Sequence, residues 1–95
     1  MQLGLLDITL EYCAVWKYTP RAVSLTEEIL GERELEAYIR SWHLIPSSGG
    51  KFELTLNGEL LFSKKALGRH AEPGEIRALI VDKLKALNPP GQGNG

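Results

Sequence analysis

The first part of the chain alternates between apolar and polar side chains. The apolar members are Leu6, Ile8, Leu10 and Tyr12, and they are separated by Asp7, Thr9 and Glu11. A period of two places the apolar set on one face of an extended segment. The pattern therefore predicts a first strand that ends at Cys13.

A helical pattern follows this strand. Its apolar residues recur at helical spacing, at Ala22, Leu25, Ile29 and Leu30. Thr19 is expected to cap the helix and Pro20 to take its first position, because proline has no amide hydrogen to lose there. Gly31 permits a C-terminal cap. Residues 34–40 also fit a helical face, so the end of this helix stays open.

Two further strands and a turn are predicted after position 40. Trp42, Leu44 and Ile45 indicate a short second strand, which the turn residues 46–50 close. Residues 51–56 and 59–63 then flank Asn57-Gly58, a pair that tolerates positive φ and is typical of a β-hairpin. With a two-residue loop, Leu54 is expected to face Leu61 on the core side. Leu60 and Phe62 would then lie on the opposite face.

The final helix is expected to open at residues 72–75 and to stop at residues 88–90. Its predicted buried stripe consists of Ile76, Leu79, Ile80, Leu84 and Leu87. The elements in order predict a two-layer α/β sandwich, β-α-β-β-β-α, with a four-stranded mixed sheet and both helices on one face. Residues 1–87 would form one domain, and residues 88–95, rich in Pro and Gly, a flexible tail.

The sheet face away from the helices would be open in this arrangement. Leu60 and Phe62 are expected to lie on it, so the patch is a candidate surface for a homodimer or for partner docking.

Composition limits the classes of partner and compartment. Eleven basic and twelve acidic residues give a net charge of −1, which favours neither nucleic acid nor an anionic membrane as a partner. No apolar run is long enough to span a bilayer, and residues 1–6 lack the basic and apolar regions of a signal peptide. A single cysteine permits no internal disulfide and suits a reducing compartment. A cytoplasmic protein is therefore expected.

Cys13 is the main candidate for chemistry. A cysteine where a strand gives way to a loop and a helix is expected to be exposed and to point toward helical amides. Its position alone does not exclude the alternative of a small apolar packing residue. His43 and His70 lie far apart in sequence without a nearby Cys-His spacing, so no metal site is predicted.

Five segments carry a family resemblance. Residues 11–22, Glu-Tyr-Cys-Ala-Val-Trp-Lys-Tyr-Thr-Pro-Arg-Ala, are similar to a motif of Tyr-Cys, two free positions, Cys or selenocysteine, a basic or small residue, an aromatic, and Arg-Ala. Residues 46–53 are similar to a Gly-Gly-x-Phe-Glu segment, and residues 57–58, 62–65 and 68–73 follow in the same order. From about Leu6 to Leu87, the chain resembles the selenoprotein W-like, or Rdx, branch of the thioredoxin-like proteins.

The resemblance implies a thioredoxin-like fold and thiol exchange with glutathione or a protein partner. Cys13 corresponds to the first redox cysteine, and Ser48, Gly49 and Gly50 to the loop that faces it. No resident cofactor is implied, although glutathione is an expected co-substrate. Lys17, Arg21 and Arg69, and with them Lys64 and Lys65, are candidates to favour a thiolate or attract glutathione carboxylates; a solvated rim is the alternative.

Trp16 departs from the pattern, because it occupies the second redox position. Codons for cysteine, selenocysteine and tryptophan differ at one base, so Trp16 is a natural residue, a deliberate replacement or a recoded selenocysteine. Its ring is expected to shield Cys13. Without a resolving partner, Cys13 is limited to monothiol chemistry that an external thiol must reverse. Two hypotheses follow, a monothiol redox protein and a redox-silent interaction module, and turnover as an independent enzyme stays open.

Overall fold

The computed structural model describes residues 4–87. Four strands and four helices follow one another along the chain. They are β1 (Leu6–Cys13), α1 (Thr19–Leu30), α2 (Arg33–Glu36), β2 (Ile39–Ser47), β3 (Phe52–Leu56), β4 (Glu59–Ser63), α3 (Lys64–Leu67) and α4 (Glu75–Leu87). The predicted order of the main elements is confirmed, with the short helices α2 and α3 added.

The four strands form one mixed sheet in the order β2-β1-β3-β4. β1 pairs with β2 in parallel and with β3 in the antiparallel sense, and β3 pairs with β4 in the antiparallel sense. β1 is therefore an inner strand, and its last residue, Cys13, pairs with Ser47 at the end of β2. The sheet topology places the β1–α1 connection at this end of the sheet.

The core lies between one face of the sheet and the helices. The alternating residues of β1 and β3 are buried there together with residues of α1 and α4, as predicted. The cluster includes Leu6, Ile8, Leu10, Tyr12, Ala22, Leu25, Ile29, Phe52, Leu54, Leu56, Ile76 and Ile80. Each side chain of this size stabilises the fold by roughly 1.5–3 kcal/mol when it leaves water. Both long helices thus cover the same face of the sheet.

The hairpin has the predicted turn but a different register. Asn57 and Gly58 have φ of 50° and 85°, as a two-residue turn of the mirror-image type requires. A β-bulge then intervenes, because Thr55 pairs with Leu60 whereas Leu54 pairs with Phe62. Leu61 is the extra residue of the bulge.

The bulge overturns the predicted facing of β4. Phe62 has only 2% of its surface exposed and belongs to the core, whereas Leu60 is 52% exposed. The expectation that Phe62 lies on the open face beside Leu60 is therefore wrong. The extra residue reverses the alternation, which allows the largest side chain of the strand to be buried.

Three smaller expectations also need correction. α1 begins at Thr19, so Tyr18 occupies the capping position, and its carbonyl accepts the Ala22 N–H at 3.0 Å. Thr19 is therefore not the cap. β2 is longer than predicted because an edge strand tolerates Pro46. Leu87, predicted to belong to the buried stripe, is instead exposed at the end of α4.

Among the helices that the structure describes, none combines the length and apolar character needed to cross a bilayer. The predicted flexible tail, residues 88–95, and the predicted helix stop at residues 88–90 lie outside the described residues.

Candidate functional site

The segment between β1 and α1 is a tight turn built on Cys13. The carbonyl of Cys13 accepts the Tyr18 N–H at 3.0 Å, and the carbonyl of Ala14 accepts the Lys17 N–H at 3.1 Å. Lys17 has a φ of 62°, a left-handed conformation that costs a residue with a β-carbon roughly 1–2 kcal/mol. The turn therefore holds residues 14–17 in a loop that leaves the sheet and returns at α1.

Backbone hydrogen bonds attach this turn to two neighbouring strands. The Cys13 N–H donates to the Lys51 carbonyl at 2.7 Å, and the Ala14 N–H donates to the Ser47 carbonyl at 3.0 Å. Cys13 is thus positioned by the end of β2 on one side and by the start of β3 on the other.

The sulfur of Cys13 is buried. The residue is 0% exposed, so the expectation of a thiol open to solvent is wrong. Its Sγ accepts the backbone N–H of Trp16 at 3.3 Å. The turn therefore folds back on the side chain that begins it, which sequence position alone could not reveal.

Trp16 packs against Gly50 next to this sulfur. A β-carbon at Gly50 would lie 2.6 Å from Cζ3 of the indole ring, so the contact requires glycine. Gly50 also needs glycine because its φ is 75°. The indole is nevertheless 58% exposed, and Val15 beside it is 70% exposed. The turn thus presents two apolar side chains on the surface while Cys13 lies underneath.

Only part of the loop that was predicted to face the thiol lies against the β1–α1 turn. Gly50 is buried against Trp16, whereas Ser48 and Gly49 are exposed. A β-carbon added to Gly49 would meet no atom within 4 Å.

The candidate cations occupy different places. Lys17 is exposed in the turn itself, and Lys64 lies over the Tyr18 ring, with Nζ 5.8 Å from the ring centre. Arg69 makes a two-pronged ion pair with Glu75, with Nη1 and Nη2 at 2.7 and 2.9 Å from its carboxylate oxygens. This ion pair fixes the guanidinium of Arg69, so the positive charge of Arg69 is directed at the Glu75 carboxylate.

An aromatic cluster connects the turn to the segment before α4. Tyr18 lies edge-on to Trp16, Phe52 and His70, with ring centres 6.3, 6.5 and 4.9 Å apart. Burial lowers the pKa of His70 below its ordinary value, and the charges of Arg21 and Lys64 lower it further. The lowered pKa favours the neutral ring, which packs with the other aromatic rings. His43 is exposed on β2, so the two histidines lie in different environments.

A cleft next to this cluster was not predicted. It has a volume of about 350 Å³ and lies between α1 and residues 70–76, with Phe52 on its wall. Arg21, Ser24 and Glu28 line it from α1, and His70 lines it from the opposite side. The spacing of the three α1 residues, which places them on one helix face, is the signal from which the sequence could have indicated a shared surface. Their partner wall, some fifty residues later, could not be inferred from periodicity.

Comparison with known proteins finds one matching family and similar solved structures. The model of the Rdx family matches residues 7–82. A selenoprotein W-related protein from Vibrio cholerae has a similar structure, with a TM-score of 0.74, 26% sequence identity, and coverage of 81% of this chain and 94% of that one. A protein from Bordetella parapertussis is similar in fold, with a TM-score of 0.75, 24% identity, and coverage of 82% and 96% respectively. No curated protein matches the chain. These similarities confirm the thioredoxin-like α/β fold.

Proposed function

Since the chain belongs to the Rdx family, a redox-related family, we propose that it is a monothiol redox protein whose Cys13 forms mixed disulfides with glutathione or with a partner protein. The observation that carries this proposal is the position of the thiol. Cys13 ends β1, begins the turn to α1, and has the amide of Trp16 directed at its sulfur at 3.3 Å.

The chemistry requires only one protein sulfur. The Cys13 thiol gives its proton to solvent, and the thiolate attacks one sulfur of oxidised glutathione. The S–S bond of that molecule breaks, a new bond joins Cys13 to one glutathione, and the other glutathione leaves as a thiolate that takes up a proton. A reduced thiol from outside then attacks the glutathione sulfur of the mixed disulfide and forms a new disulfide with that glutathione. The bond to Cys13 breaks, and Cys13 leaves as a thiolate that takes up a proton. Before the turn opens, the Trp16 amide supports negative charge on the sulfur.

Trp16 occupies the position from which a second thiol would otherwise resolve the intermediate. Because a tryptophan has no sulfur, release depends on an external thiol. This dependence makes the mixed disulfide longer-lived than in a two-thiol protein, which suits a carrier or sensor better than rapid turnover.

Reaction also requires the turn to open, because Cys13 is buried. Residues 14–17 are all classed as exposed, although the Trp16 ring also contacts Gly50. A surface loop of this kind opens at a lower free energy than the core does. We therefore place the control of reactivity in the Trp16 segment.

Mass spectrometry after exposure to oxidised glutathione tests the proposal. The folded chain should gain one glutathione, the Cys13→Ser variant should gain none, and reduced thiol should remove the adduct. A chain that is modified in denaturant but never when folded would overturn the proposal.

A second candidate function has its own supporting observation. Val15 and Trp16 are 70% and 58% exposed while Cys13 is 0% exposed. This arrangement favours a redox-silent module that docks a partner protein through the turn. In that case Trp16→Ala would weaken partner binding at least tenfold, whereas Cys13→Ser would leave it unchanged.

A further inference from the structure

β2 is an edge strand of nine residues, and one of its sides faces no other strand of the described sheet. An edge strand presents free N–H and C=O groups to which another strand can add. Charged side chains usually protect such an edge, but residues 41–50 contain no Lys, Arg, Asp or Glu. Arg40, which precedes them in β2, is held by Asp7. The free side of β2 is therefore unprotected.

The other edge strand, β4, is protected by contrast. It has five residues, it carries the bulge at Leu61, and α3 follows it directly. Glu59, its first residue, forms an ion pair with Lys83 of α4. Short length, a bulge and charges each discourage the addition of a strand. Of the two described edges, β2 is thus the one that is open to pairing.

The backbone groups of β2 point alternately toward β1 and toward the free side. The Ser47 carbonyl points toward β1, because it accepts the Ala14 N–H at 3.0 Å. The pairing with β1 continues without a shift over residues 41–47, so every second residue turns its N–H and C=O to the free side. The residues that do so are Trp42, Leu44 and Pro46. Proline at such a position agrees with this assignment, because its nitrogen has no hydrogen to donate to the ladder.

Exposed apolar side chains accompany the free backbone groups. Leu44 is 37% exposed and Ile45 is 44% exposed, and they lie on opposite faces of the sheet. Val23 of α1 is 52% exposed and lies one helical turn before Thr26, whose hydroxyl accepts the Trp42 Nε1–H at 2.9 Å. Val23 is thus on the side of α1 that faces β2. A strand added at this edge would cover apolar surface as well as pair backbone groups.

The donors and acceptors of this edge fit a second copy of the same edge. Antiparallel pairing about a two-fold axis at Leu44 places Leu44 opposite Leu44 of the partner subunit, and the two residues exchange both backbone hydrogen bonds. The Trp42 N–H then donates to the carbonyl of Pro46 of the partner subunit, and the same bond recurs by symmetry. A two-fold axis nearer Pro46 loses donors, and one nearer the start of β2 reaches the bulge at Arg40. The axis at Leu44 therefore gives the longest regular ladder.

We propose that residues 42–46 of β2 pair with the same residues of a second copy, so that two four-stranded sheets join into one continuous sheet. Charge does not oppose this contact, since the chain has a net charge of −1 and the paired segment contains no Lys, Arg, Asp or Glu. One pair of strands buries a small area, so the dimer belongs to the weak, transient class. The surface differs from the open sheet face, and the proposal does not depend on the thiol chemistry.

Analytical ultracentrifugation of the native chain tests the proposal, at concentrations from about 10 μM to about 1 mM and under reducing conditions. The mean mass should rise toward that of the dimer as the concentration increases. Amide NMR spectra recorded on dilution should show shifts concentrated on residues 41–47.

Two variants at exposed positions of the edge change the affinity in opposite directions. Leu44→Lys places two lysines opposite one another at the two-fold axis, where like charges oppose pairing, so self-association should weaken about tenfold or more. Pro46→Ala restores a donor opposite the Trp42 carbonyl of the partner subunit. Self-association of this variant should therefore tighten about tenfold.

Matched controls keep the outcome decisive. Leu60→Lys introduces the same charge at an exposed leucine of the other edge strand and should leave self-association unchanged. Cys13→Ser should also leave it unchanged, which separates this dimer from a disulfide-linked one and from the redox function. A chain that stays monomeric at about 1 mM would overturn the proposal and leave the edge free or open to a different protein. Association that is lost in Leu60→Lys but kept in Leu44→Lys, or that Pro46→Ala fails to tighten, would overturn it as well.

Discussion

At the scale of single residues, the neighbours of Cys13 influence how accessible its sulfur is. A glycine at position 50 makes room for the indole of Trp16, and the Trp16 amide reaches the sulfur. We expect the sulfur to become more accessible if either contact is lost. Reactivity is therefore a property of the Trp16–Gly50 contact as much as of the thiol.

Gly50→Ala should disrupt this contact, because the new β-carbon would lie 2.6 Å from the indole. Gly49→Ala is the matched control, since Gly49 has a similar φ of 73° but no atom within 4 Å of its added β-carbon. The control should lower the free energy of unfolding by about 1–2 kcal/mol, the cost of a left-handed backbone. Gly50→Ala should cost more and should also speed alkylation of Cys13. Both are measured by urea unfolding and iodoacetamide labelling, and equal behaviour of the two variants would contradict the assigned contact.

At the scale of elements, the turn of the β3–β4 hairpin is predicted correctly from the sequence, but the face on which the β4 side chains lie is not. Asn57-Gly58 fixes the turn, but the bulge at Leu61 sets which side chains of β4 reach the core. Phe62 is buried and Leu60 is not. Beyond the turn, the register is therefore set by the burial of the larger side chain, Phe62.

Phe62→Ala and Leu60→Ala test this assignment directly. Loss of the buried ring should lower the free energy of unfolding by about 3–5 kcal/mol. Leu60→Ala, at the exposed position, should change it by at most about 0.5 kcal/mol. Chemical denaturation monitored by circular dichroism gives both values. The regular register without a bulge places both side chains on the open face, so it predicts a small effect for each substitution.

The sequence predicted those features that depend on local patterns. The alternation ending at Cys13, the helical stripe of α1 and the Asn57-Gly58 turn each reflect neighbouring residues, and each is confirmed. The burial of Cys13 and the cleft between α1 and residues 70–76 depend on contacts between segments about thirty-five and fifty residues apart. No periodicity encodes such contacts, so both required the structure.

At the scale of the whole molecule, ion pairs tie separate segments together. Arg69 precedes α4 and pairs with Glu75 within it, while Glu32 joins the start of α2 to Arg77 of α4. Asp7 of β1 pairs with Arg40 of β2. Each partner lowers the pKa of its carboxylate below the ordinary value. Because the unfolded chain binds protons more readily than the fold does, stability should fall as the pH drops below about 4.5.

Glu75→Gln tests this linkage at one pair. Hydrogen bonds from Arg69 and from the Glu72 amide lower the pKa of Glu75 from 4.5 to about 2. The ionised carboxylate stabilises the fold at pH 7, and this contribution is lost between pH 4.5 and pH 2. The variant should therefore be less stable than the native chain at pH 7, and the difference should shrink across that window. Glu34→Gln, an exposed change on α2, is the control in urea unfolding at each pH. If the difference in the free energy of unfolding between the two chains stayed constant down to pH 2, the result would contradict the Arg69–Glu75 ion pair.

The account as a whole depends on a thiol that is covered by the Trp16 segment and becomes reactive when that segment opens. The rate of Cys13 alkylation by iodoacetamide in the folded chain measures this most directly. Trp16→Ala should raise the rate about tenfold or more, whereas Val15→Ala, another exposed apolar position in the same turn, should leave it within about twofold. Native and Trp16→Ala chains that react at the same rate as an unfolded cysteine would contradict the account.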